Sequence, residues 1–199
     1  AGNDVNRRIH AVSAQKVECL FRRGDDAVNP IAPPLGILAR NPAHRVIRYA
    51  MGEGPLREDL RRMAEELGVS DSVTLVGPKP WEKIDRYYAM GDVFCSASHS
   101  ETQGLTYIEA MAAGLPVVCR ADPCVEGLID SGKNGFACKN EAEMALAAET
   151  LLSDAALRKS VTDAAKALVS SVYTSGAFAA AVEGLYLQIT AGAPIRLKA

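Results

Sequence analysis

The residues whose types and spacing are best suited to chemistry lie between Ser98 and Val118. The run Ser98-His99-Ser100-Glu101-Thr102-Gln103-Gly104-Leu105-Thr106-Tyr107-Ile108-Glu109 is polar at first and turns into a helical pattern at about Leu105. Gly104 lets a ligand approach the backbone closely, and the free N–H groups at the helix start, from Gln103 to Thr106, form an anion site suited to a diphosphate. Glu109, on the inward helix turn, can accept two hydroxyl hydrogens, while Glu101 stands in the loop beside the anion. Taken singly, Glu101 reads as a solvated loop acid and Glu109 as a helix-surface acid. Bracketing a glycine and a helix start together, they suit a ligand with a phosphate centre and hydroxyl groups on both sides, which is the outline of a nucleotide sugar.

Such a loop needs a sheet beneath it. From Arg45 onward short apolar runs alternate with amphipathic stretches, the order of β-α-β units on a parallel sheet. Strands are expected at 45–51, 73–76, 93–96, 117–119 and 136–138. Leu56, Leu60, Met63, Ala64 and Leu67 recur at helical spacing after the Gly52-Glu53-Gly54-Pro55 turn, and Gly68 closes that helix. Further helices are expected at 81–90, with Ile84, Tyr87 and Tyr88 inward, at 106–113 and at 125–130, and two or three alanine-rich helices close the chain. Doubly wound sheets bind ligands beyond the carboxyl ends of their strands, so the loop after the strand ending near Ser96 is where a site belongs. The fold class is therefore α/β: a single Rossmann-like domain with a mostly parallel sheet flanked by helices. Residues 45–190 form that domain, 191–199 a tail, and 1–44 a less legible N-terminal segment of the same domain. Within that segment 9–12 is expected as a strand and 17–23 as a helix before the prolines at 30, 33 and 34.

Composition narrows the class. A chain of 199 residues with 48% hydrophobic content can bury one core. The formal net charge of −2 argues against binding nucleic acid by phosphate neutralisation. The early arginines, including Arg7, Arg8, Arg61 and Arg62, read as a solvated surface, with a phosphate or anionic membrane contact as the minority reading. Five cysteines occur without a C-x-x-C pair or a matching histidine spacing, so no metal site is expected, and Cys95 and Cys119 fall in apolar strands where a free thiol acts as a small hydrophobe. A reducing cytoplasm fits this usage. Cys124 has no base near it in sequence and is assigned no nucleophilic role. There is no apolar run of about 18 residues, so a soluble or peripheral protein is expected.

Glu101 and Glu109, with seven residues between them, followed by Ala110-Met111-Ala112-Ala113-Gly114-Leu115-Pro116-Val117-Val118, resemble the E-x7-E motif of retaining glycosyltransferases of the GT-B fold, group 1 or family 4 type. Gly52-Glu53-Gly54-Pro55-Leu56 is similar to the family's G-D/E-G-P turn, and Gly77, Glu126 and Asn134-Gly135 match further points. The resemblance implies the C-terminal, donor-binding half of such an enzyme, with the acceptor held by an N-terminal domain that this sequence lacks. It implies Glu109 on the ribose hydroxyls and Glu101 as the catalytic-site acid on the transferred hexose. It places the amides of Gln103, Gly104, Leu105 and Thr106 on the diphosphate and the Gly77-Pro78 loop beside the base. The family also presents an Arg and a Lys to the diphosphate from a G-R-x4-K stretch; here only Lys16 stands as a candidate.

Where the family loop commonly reads E-G-F-G, this one reads Glu101-Thr102-Gln103-Gly104, and S-E-T-Q-G-L-T-Y-I-E-A resembles bacterial diacylglycerol glucosyltransferases in particular. That subgroup implies UDP-glucose as donor, no cofactor, a membrane-lipid acceptor, and a cytoplasmic protein with a peripheral place on the inner face of the membrane. The alternative is a non-catalytic α/β module, a signalling domain or a nucleotide sensor. A phosphoacceptor module needs acidic residues clustered at its first strand ends, and none occur near 9–12 or Tyr49.

Overall fold

The computed structural model describes residues 18–24, 45–51, 57–98 and 103–191. The strand expected at 9–12 and the turn at 52–55 lie outside the described residues. The described strands are β1 (Glu18–Gly24), β2 (Arg45–Met51), β3 (Val73–Gly77), β4 (Val93–Ser96), β5 (Val117–Arg120) and β6 (Phe136–Cys138). They form one sheet in the order β3-β2-β1-β4-β5-β6. The pairs β2/β3, β4/β5 and β5/β6 are parallel, whereas β1 runs antiparallel to both β2 and β4. It follows that β2 to β6 share one direction and only β1 is reversed.

That first strand corrects the helix expected at 17–23. Leu20 and Phe21 stand at helical spacing from Val17, but the slot between β2 and β4 offers open backbone edges on both sides. Strand pairing there satisfies the N–H and C=O groups of residues 18–24 from two neighbours, and such tertiary pairing overrides a weak local preference.

The α-helices among the described residues are α1 (Arg57–Glu66), α2 (Ile84–Tyr88), α3 (Leu105–Ala113), α4 (Glu141–Ser153), α5 (Ala155–Val172) and α6 (Ser175–Thr190). The stretch 81–90 begins as a 3-10 turn, Trp81–Lys83, before α2. At 125–130 the expected helix is absent: a 3-10 turn, Pro123–Val125, is capped by Asp122, and Gly127 at φ 79 then leaves helical space. The following turn is held by Asn134, which accepts from Asp130 N at 2.7 Å and donates to the Leu128 carbonyl at 3.0 Å.

Alternating strand residues feed two cores. Phe94, Val117 and Cys119 pack with Tyr88, Tyr107, Ala110, Met111, Ala165 and Val169 on one face. Val93, Cys95, Val118 and Cys138 pack with Met144, Ala147, Ala148, Leu151, Leu152 and Val161 on the other. All four residues of β4 are buried, as a central strand of a covered sheet requires. Among the described residues no helix is long and apolar enough to cross a membrane.

Candidate functional site

The shared direction of β2 to β6 brings their carboxyl ends to one edge of the sheet. Register aligns Met51 with Gly77, and Glu18 with both Met51 and Ser96, so the ends of β2, β3 and β4 stand side by side. The start of α3, next after β4 among the described elements, lies at this edge.

Gly104 caps α3 at φ 60 and ψ 38, without a side-chain cap. The first bonds back to its carbonyl come from Tyr107 N at 2.9 Å and Ile108 N at 3.2 Å. The amides of Leu105 and Thr106 therefore precede the helix ladder, as the first N–H groups of any α-helix do. A Cβ on Gly104 would stand 2.7 Å from Tyr107 Cδ2, so both the backbone angle and the space demand glycine. Tyr107 is buried, its hydroxyl 3.3 Å from Ser96 Oγ, and its ring meets Phe94 edge-on at 6.2 Å between centroids. These contacts pin the helix start to the end of β4. Beside them the Thr106 hydroxyl is buried with no hydrogen-bond partner among the described residues. Buried hydroxyls are ordinarily satisfied, so an open one at a helix start is free to bond a polar ligand atom or a water.

Glu109 lies one turn further along α3, half-buried. Tyr88, the last residue of α2, is 2% exposed and donates its hydroxyl to Glu109 Oε2 at 3.0 Å. Gly77 ends β3 at φ 73 and is buried, while Pro78 after it is exposed. Arg57 donates to the Leu75 carbonyl at 3.1 Å, and its Nη1 would stand 3.2 Å from a Cβ on Gly77. Gln103 is exposed, as is Leu105 at 59% despite its apolar side chain.

Of the residues singled out from sequence, Gln103, Gly104, Leu105, Thr106 and Glu109 are thus brought together on one helix start, and Gly77 and Pro78 lie at the end of β3 on the same sheet edge. Glu101 and Lys16 lie outside the described residues, as does His99. Lys133 faces Asp130 at 3.3 Å with both side chains largely exposed, a solvated pair. Arg61 and Arg62 pair with Glu58 and Asp59 on the surface of α1.

Sequence reasoning had placed Tyr88 inward but missed its link to Glu109. The signal was available, because a buried tyrosine hydroxyl ordinarily finds a partner. Burial, then the neighbouring Cys138, Cys124 and Asp122, push the Cys119 thiol up to about 12, and burial with Glu143 pushes Cys138 to about 11. Both therefore stay protonated at neutral pH and serve as core. Among the described residues no three His, Cys, Asp or Glu side chains gather where they could hold a metal ion.

Comparison with known proteins places this architecture. The family model of glycosyl transferases group 1 matches residues 37–168. An alpha-monoglucosyldiacylglycerol synthase of Acholeplasma laidlawii is 39% identical over 92 residues, 46% of this chain and 23% of the relative. A protein of the same name from Streptococcus pneumoniae is 39% identical over 94 residues, 47% of this chain and 21% of the relative. The matches to these two relatives thus span less than a quarter of their length. Among solved structures, a mutant of TarM from S. aureus in complex with fondaparinux, alpha-GlcNAc-glycerol and UDP superposes with a TM-score of 0.64 at 24% identity, over 71% of this chain and 28% of that one. HepE from Anabaena in complex with UDP-glucose superposes with a TM-score of 0.56 at 24% identity, over 61% and 35%. These likenesses bear out the α/β fold and its place in the GT-B class. With the family model matching 132 of its 199 residues, the chain belongs to the glycosyl transferases of group 1.

Proposed function

We propose that this chain is the donor-binding domain of a retaining hexosyltransferase that moves glucose from UDP-glucose to diacylglycerol, with the acceptor held by a separate N-terminal domain. Residues 45–190 are the donor unit, 1–44 belong to the same domain, and 191–199 are a tail. The observation that carries the reading is the glycine-capped start of α3 at the carboxyl edge of the sheet, with a buried open hydroxyl beside it and Glu109 one turn along. Such a helix start favours an anion through its free amides and its dipole.

In this reading the amides of Gln103 to Thr106, with Lys16, hold the diphosphate. Glu109 accepts the ribose hydroxyls, Glu101 the hydroxyls of the transferred hexose, and the Gly77-Pro78 loop flanks the base. No cofactor or metal takes part. Two relatives named for monoglucosyldiacylglycerol synthesis support the lipid acceptor, and a neighbour solved with UDP-glucose supports the donor. A lipid acceptor would put the enzyme at the cytoplasmic face of a membrane, bound peripherally.

Calorimetric titration of UDP and UDP-glucose into two variants tests the assignment. Glu109→Gln is expected to weaken both ligands by about 1–3 kcal/mol, the range for a hydrogen bond to a charged group. Glu101→Gln is expected to weaken UDP-glucose and leave UDP nearly untouched, since UDP carries no hexose. Equal losses for both ligands in Glu101→Gln, or no loss in either variant, would overturn the donor-site assignment.

A further inference from the structure

We propose that Tyr88 is a positioning residue that holds the Glu109 carboxylate ready for the ribose diol, and so sets the dependence of nucleotide binding on the 2′- and 3′-hydroxyls. This rests on the donor-site reading above. The phenol ring is 2% exposed and packs on Phe94 at 5.7 Å between centroids, so its hydroxyl has a defined position. From there it donates to Glu109 Oε2 at 3.0 Å and lies 3.5 Å from the Thr106 carbonyl on the same helix. The terminal torsion of a glutamate is broad when nothing holds it.

An ionised carboxylate offers about four acceptor sites on its two oxygens. The phenol occupies one of them on Oε2 and restrains rotation of the group. Among the described residues no other donor takes Oε1 or the remaining site on Oε2, which leaves them for two hydroxyl hydrogens. The ordering cost of the carboxylate is thus met before ligand arrives, which raises affinity without a new contact to the ligand. Because Tyr88 acts through Glu109, its contribution exists only for a ligand with hydroxyls to present.

The test uses the 199-residue chain as wild type, Tyr88→Phe, Glu109→Gln and the double variant, each titrated with UDP and with 2′,3′-dideoxy-UDP. Phenylalanine keeps the ring against Phe94 and removes only the hydroxyl. Ligand-induced shifts in melting temperature are recorded beside the titrations, so that a destabilised variant still reports how its native state binds. Tyr88→Phe is expected to weaken UDP about fivefold, the scale of one net hydrogen bond, and to leave dideoxy-UDP unchanged. In the Glu109→Gln background it is expected to change neither ligand. An equal loss for both ligands would show a packing role and overturn the proposal, as would no loss at all or the same loss without the carboxylate. A wild-type chain that binds UDP no better than dideoxy-UDP, or binds neither, would instead bring down the donor-site reading itself.

Discussion

Gly104 meets two constraints with one missing Cβ. Its φ of 60 lies where side chains other than glycine are strained, and an added methyl would press on Tyr107, which ties the helix start to Ser96. Gly104→Ala is expected to lose about 1–3 kcal/mol of stability in urea unfolding, combining backbone strain with displacement of a core ring. Gly68 supplies the control, because it has φ 64 and nothing within 4 Å of its added Cβ. Gly68→Ala should therefore lose less, and equal losses would show that the contact with Tyr107 is unimportant. UDP binding should weaken in the first variant and persist in the second.

At the scale of elements, α4 illustrates how local sequence sets a helix boundary. Asn140 Oδ1 accepts from Glu143 N at 2.9 Å, and Glu143 reaches back to Lys139 N at 2.8 Å, a reciprocal cap. The helix then lays Met144, Ala147, Ala148, Leu151 and Leu152 on one face of the sheet. Asn140→Ala is expected to cost about 1 kcal/mol, lowering the melting temperature by about 2–4 °C in a chain of this size. Circular dichroism melting measures the loss. Because α4 lies on the face opposite α3, UDP affinity should be unchanged; a large drop in affinity would contradict the separation of the two faces.

At the scale of the whole molecule, burying thiols in both cores couples stability to alkaline pH. Burial holds the thiols of Cys119 and Cys138 at about 12 and about 11, above the 9.0 of a thiol in water. Above pH 9 the unfolded chain releases these protons while the native chain keeps them, so the native state binds more protons and stability falls as pH rises. The thiols contribute no pH dependence near neutrality, and the decline runs from about pH 9 toward the folded-state values. Urea unfolding across that range should show a shallower decline in Cys119→Ala than in wild type, and an identical slope would refute the linkage. Transfer chemistry also belongs to this scale. Catalysis needs an acceptor oriented against the donor, a requirement that the proposed function assigns to another domain. The 199-residue chain alone is accordingly expected to bind UDP-glucose without transferring glucose to diacylglycerol, and measurable transfer in a radiolabelled lipid assay would refute the division of labour.

The strands from β2 to β6 and the helices α1 and α3 were legible in the sequence, because each carries its own period, glycine stop or cap. The spacing of Glu101 and Glu109 was likewise a property of the chain alone. Three features were decided only by the tertiary structure. Residues 17–23 read locally as a helix, but 18–24 became a strand because two open sheet edges offered them partners. Residues 125–130 read as a helix but became a turn that Asn134 holds from several residues downstream. Tyr88 and Glu109, far apart in sequence, met because packing on Phe94 carries a phenol to a carboxylate that no local pattern pairs with it. Local periodicity can state which groups a segment offers. Which of those groups meet is set by competition for backbone partners and buried space across the whole sheet.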